Sequence, residues 1–208
     1  MSALAVLAVQ HQTEADNGTT GKNAPNEIIS VGLTDSQRCG MSPEEFAKYY
    51  PPLIAWIRNT LATTAHKANT VASFGFSRLP LFFTESTLAS AKVVVIDPLP
   101  RPPLSSMGLS RFADFESGDF DGITYMDTFF VKPTHARDEN MHFHELVHVV
   151  QWRLLGPERF LFSYANGLEC FGYRQSPLEA MAYDAEAAFA SSTAVFDAEK
   201  MVAKKLGL

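Results

Sequence analysis

Apolar and polar positions alternate along this chain with two different periods, and each change of period marks an element. Ser42-Pro43-Glu44-Glu45 reads as an N-cap, a proline at the first helical position and a capping-box glutamate. A helix is therefore predicted from there towards His66, with Pro51-Pro52 dividing it into two short helices or kinking it. "AKVVVID", Ala91 to Asp97, is β-branched and predicts a buried strand, followed by the Pro-rich surface loop "PLPRPPLSS". "GITYMDTFFV", Gly122 to Val131, predicts a second strand, introduced by the turn residues Gly118, Asp119, Asp121 and Gly122. Two placements are open for it: a sheet edge, where its free backbone groups can pair with an extended peptide, or a fully paired interior position.

Helix-forming residues run from Asp138 to Leu155 and are stopped by Gly156-Pro157. The aromatic "RFLFSYANGLECFGY" predicts a short helix and a loop, and its aromatic side chains suit either an apolar specificity pocket or plain core. From Ser176, the Ala-rich "SPLEAMAYDAEAAFASSTAVFDAEKMVAKKL" predicts a long helix. Mixed strands and helices, with helices dominating the C-terminal half, place the fold in the α+β class.

The segment from Gln10 to Asn26 breaks both periods. It is polar, rich in Gly, Asn and Thr, and cannot offset its ordering entropy, so residues 1–26 are expected to be a flexible tail and residues 27–208 one domain. At 208 residues and 46% hydrophobic, the chain is long enough for a sizeable core. A net charge of -6 and no Lys/Arg stripe argue against a nucleic-acid partner. "MSALAVLAV" is apolar but short and has no basic residues before it, which suits an ordinary tail better than a signal peptide. No run reaches membrane-spanning length, so a soluble, cytoplasmic protein is expected. Cys39 and Cys170 allow one bridge, which is no disulfide framework.

Candidate chemistry sits in "MHFHELVHVVQW", Met141 to Trp152, where groups that are costly to bury interrupt an apolar helix. His144 and His148, four residues apart, share one helix face, and Glu145 lies beside that face. Two imidazoles can converge on one ion while the carboxylate reaches a water, the mechanics of H-E-x-x-H. Six histidines and 13 glutamates placed at random over 208 positions would produce that pattern roughly 0.01 times, so chance is a poor explanation.

Catalytic zinc takes three protein ligands and keeps a fourth position open. Glu179, in "SPLEAMAYDAE", is the leading candidate for the third, with Ala180 and Ala182 small enough to let a second helix approach. The same carboxylate is also the capping-box residue of Ser176-Pro177-Leu178-Glu179, so two roles compete for it. Glu186, Glu169, Cys170, His135 and His142 are the other options, His142 projecting away from His144.

From Gly122 to Glu186, "HELVH" with a downstream "PLEAMAY" resembles the zincin metallopeptidases, specifically the gluzincin type with a glutamate ligand. The resemblance implies a minimal zincin-like domain: a small mixed sheet packed on the active-site helix, with further helices on either side in sequence. It implies one zinc per chain held by His144, His148 and Glu179, with Glu145 as general base and a peptide or protein as substrate. Larger gluzincins support a histidine with an aspartate four residues after the ligand glutamate; here Tyr183 holds that place and Asp184 follows it. Asp184 is the candidate for that support, and Tyr164, Tyr173, Tyr183 and His135 are candidate donors to an oxyanion. Three functions are open at this point. They are a zinc metallopeptidase, a zinc hydrolase of a non-peptide amide or of one dedicated protein, and a non-catalytic metal-binding module.

Overall fold

The computed structural model describes residues 39–191 and 194–208. The expected tail, the domain start near residue 27 and the apolar N-terminal segment lie outside the described residues.

Helix α1 spans Pro43–Thr64 and begins where the capping residues put it, with Ser42 Oγ accepting from Glu45 N at 3.1 Å. Pro51 and Pro52 lie inside this helix and do not divide it, so of the two expected outcomes the pair of short helices is not found. The reason is orientation. Phe46, Leu53, Ile54 and Ile57 form the buried stripe, whereas both prolines, Ala47 and Lys48 are exposed. The carbonyls of Ala47 and Lys48, which lose their helical donors, therefore face solvent, where water replaces the missing bonds.

Among the described residues the sheet has four strands: β1 (Asn69–Thr70), β2 (Lys92–Val95), β3 (Gly122–Tyr125) and β4 (Thr128–Val131). Their order is β1-β2-β4-β3, with β2 and β4 parallel and the outer pairs antiparallel. The single strand expected over Gly122 to Val131 is instead a hairpin, turned by Met126, at φ 57°, and Asp127. Asp127, which breaks the alternation in the sequence, is the turn itself; its carbonyl accepts from Lys92 N at 2.8 Å, tying the hairpin to β2. As a result β3 is an edge strand. Period-2 burial is clear at the centre of the sheet, where Val93 and Phe129 enter one hydrophobic cluster and Val94 and Phe130 the other.

Short helices α2 (Glu85–Ser90) and α3 (Ala113–Ser117) bracket β2 and the Pro-rich loop. Helix α4 runs Glu139–Phe171 with a break at Gly156, where φ 73° and ψ 164° leave the helical region. A Cβ at Gly156 would meet nothing within 4 Å, so it is the positive φ, not space, that requires glycine. Gly156-Pro157 thus ends one helix and starts another, and the segment expected to be a short helix and a loop is helical to Phe171. The long C-terminal helix is also two: α5 (Pro177–Ser191) and α6 (Ala198–Lys205), the latter capped by Asp197 on Lys200 N. A disulfide joins Cys39, ahead of α1, to Cys170 at the end of α4, with Cα atoms 5.5 Å apart. No helix among the described residues is long and apolar enough to cross a membrane.

Candidate metal centre

The first half of α4 is sunk against the sheet on one side and α5 on the other, so that every residue from His142 to Trp152 is buried. His144, Glu145 and His148 are 6%, 4% and 5% exposed, an arrangement that requires partners for each polar atom. For the outward ring nitrogens these partners are protein groups. His144 Nδ1 lies 3.1 Å from Glu186 Oε2, and His148 Nδ1 lies 2.8 Å from Gln151 Oε1. Gln151 is itself fixed, its amide donating to Leu178 O at 3.0 Å. Both Nε2 atoms are left facing each other, 3.2 Å apart.

Glu179, in the first turn of α5, brings its carboxylate to the same point. Oε2 is 3.5 Å from His144 Nε2 and Oε1 is 3.4 Å from His148 Nε2. Tyr164, from the second half of α4, donates to Oε1 at 2.6 Å, while Oε2 is buried with no hydrogen-bond partner. Glu179 does not close the capping box, since Ser176 N donates to Tyr173 O instead. Glu179 turns inward to the histidines, and Ser176 Oγ has no hydrogen-bond partner either. Ala182 and Ala185 are the small residues buried between α5 and its neighbours, Ala180 being only partly covered.

His144, His148 and Glu179 each offer one ligand atom within 4.8 Å of the others, a buried group able to hold a metal ion. Two observations fit that use. The orphaned Glu179 Oε2 costs free energy unless something bonds it. The Nδ1 partners also aim both Nε2 lone pairs at one place, as groups behind a ligand histidine do.

The charges answer one another. Burial alone would raise the Glu179 carboxyl, but His148 and His144 beside it outweigh that and hold it far below the usual carboxylate range. Burial alone would lower His144; Glu179 and Glu186 reverse the sign and raise it to about 10. Binding a metal through Nε2 would release the proton that these carboxylates favour on His144. For Glu145 burial prevails, and its carboxyl is raised despite His144, His148 and the hydrogen bond from Thr124.

Glu145 is held away from the ligand set. Thr124 Oγ1, on β3, donates to its Oε2 at 2.5 Å. Beside it, Gly122 lets the carboxylate lie against the edge strand, because a Cβ there would overlap Glu145 Oε1 and come within 2.9 Å of its Cδ. The sequence shows Gly122 as a turn residue; only the packing of α4 on β3 reveals this second constraint.

The remaining candidates divide cleanly. Tyr183 packs its ring 4.6 Å from that of His144 and under Arg174, and burial raises its phenol to about 12, with Glu179 adding to the shift. Burial, followed by Glu179, likewise raises Tyr173 well above its ordinary value. Asp184 does not support a histidine: it is exposed and pairs with Lys205 at 3.4 Å. Glu186, considered from the sequence as a ligand, occupies that supporting position instead. The signal was its spacing, seven residues or two helical turns beyond Glu179. His135 belongs to a separate group with Asp121 and Asp138, Glu169 pairs with Arg111, and Cys170 is in the disulfide. His142 points into a ring of Phe74, Phe76 and Phe129, and burial pushes it down to about 4.

The chain matches no protein-family model, no curated protein and no solved structure.

Proposed function

We propose that this chain is a zinc-dependent metallopeptidase that hydrolyses peptide bonds with Glu145 as general base. The observation that carries this reading is the division of labour between two buried carboxylates. Glu179 joins the histidines, whereas Glu145 is held beside them by Thr124 and Gly122. A purely structural site has no use for the second.

His144, His148 and Glu179 would hold the ion, and three ligands leave it an open position. Zinc so bound supplies Lewis acidity, polarising a carbonyl and making water acidic enough to attack near neutral pH. Glu145 accepts the proton of the attacking water and returns it to the leaving nitrogen. Tyr173 and Tyr183, whose phenols stay protonated at neutral pH, are available to donate to an oxyanion. Tyr164 is already committed to Glu179. An extended peptide has a place to lie along β3, the sheet edge next to Glu145.

A second reading, hydrolysis of a non-peptide amide, is favoured by one specific feature: an apolar cavity has Glu145, His148 and Glu179 in its lining. Metal analysis and turnover of casein and of simple amides by wild type and Glu145→Gln test the hydrolase. About one zinc per chain is expected in both proteins, with activity reduced about 10²- to 10⁴-fold in the variant. Full activity in Glu145→Gln rejects the general-base role, and zinc retained in Glu179→Ala rejects the ligand set.

A further inference from the structure

We propose that the cavity beside the metal centre holds the straight hydrocarbon chain of an acylated amine, making long-chain N-acyl amides the substrate class. The proposal rests on the amide-hydrolase reading of the same site.

Its first support is shape. Phe46, Tyr49, Leu53 and Ile57 line the cavity at intervals of three and four residues. One wall therefore follows three turns of α1, roughly 16 Å by the helix rise, which exceeds the reach of any apolar amino-acid side chain. Leu161, Ala165 and Leu168, spaced the same way on the second half of α4, form the facing wall.

Its second support is the distribution of charge. Among the residues lining the cavity, the acidic and imidazole side chains are Glu145, His148 and Glu179, all at the candidate metal centre. Away from them the walls are aliphatic and aromatic, including Leu104 and Leu109 of the Pro-rich loop. A chain with charge along its length would lose its hydration without finding a partner. A hydrocarbon chain with one amide at its end matches the cavity, the amide meeting Glu145, His148 and Glu179.

The reaction is a hydrolysis that balances with water alone. The carbonyl carbon–nitrogen bond breaks, the water oxygen bonds to the carbonyl carbon and a proton passes to the nitrogen. The products are a fatty acid and an amine.

The test uses N-acylglycines from acetyl to tetradecanoyl with the zinc-loaded full chain. Each buried methylene adds about 0.8 kcal/mol, so kcat/KM is expected to rise about fourfold per methylene and to keep rising past hexanoyl. A plateau at or below hexanoyl overturns the proposal, because the cavity would then be a side-chain pocket. A second readout needs no turnover: dansyl-labelled undecanoic acid should bind the full chain with and without zinc and be displaced by dodecanoic acid. Ala165→Trp, which fills the cavity, should abolish that binding with the circular dichroism unchanged. If it does not fold, Leu109→Trp serves in its place. Unaltered binding in a folded variant overturns the proposal. Probe binding without hydrolysis of any amide sinks the hydrolase reading and keeps the occupant. Peptide hydrolysis with no chain-length dependence and no probe binding does the reverse.

Discussion

The two sides of the sheet are built from similar residues and do different things. On one side Val93, Phe129 and Val131 meet Phe143, Phe189 and Phe82, the Phe143 and Phe189 rings stacking at 4.3 Å and Phe82 standing edge-on to both. On the other side Val94, Phe130 and Tyr125 share a cluster with Ile57, Leu104 and Trp152, and there the side chains enclose a cavity. Helix α4 takes part in both. Each side also holds a cavity, the first among Val71, Leu79, Phe83 and Leu88, but of the two only the cavity on the second side is lined by Glu145, His148 and Glu179.

The largest test of this contrast is the disulfide, which ties the second side across 131 residues of sequence. Replacing Cys39 and Cys170 by serine should cost up to about 5 kcal/mol by loop entropy, measured by denaturant unfolding. Hydrogen exchange should quicken first in α1 and the second half of α4. Uniform loosening that includes α5 would break the contrast. Next, Phe143→Ala should cost about 3–5 kcal/mol and Leu104→Ala, on the cavity wall, only about 2 kcal/mol, because a wall residue gives up fewer contacts. Equal losses would mean that Leu104 is packed as tightly as Phe143.

Two smaller effects sharpen the picture of the centre between them. Glu186→Gln should weaken metal binding about 10- to 100-fold in chelator competition, since it removes the carboxylate behind His144 Nδ1. Asp184→Asn should leave metal affinity unchanged and shift stability by less than about 0.5 kcal/mol, as expected of an exposed residue at the α5 surface. A larger effect of Asp184 than of Glu186 would reverse their assignment.

Much of this was legible before any coordinates. The start of α1 followed from a cap, and the β2 strand from β-branched residues; the shared face of His144 and His148 followed from their spacing of four. Each is a relation between near neighbours, which helical or strand geometry sets whatever the rest of the chain does. The same local rules misled where a distant contact or the solvent had the final word. Pro51 and Pro52 are tolerated because they face water, and Asp127 turns a hairpin that leaves β3 at the edge.

The sequence alone therefore determined that two imidazoles and a carboxylate would occupy one stretch of helix. Tertiary structure decided which other groups they would meet. Glu179 became a partner rather than a cap, Glu186 rather than Asp184 stood behind His144, Gly122 made room for Glu145, and Cys39 found Cys170. The physical reason is that an α-helix fixes the direction of its own side chains to within one turn. How α5 and β3 cross α4 depends instead on the summed packing of residues far apart in the chain, which no local pattern encodes.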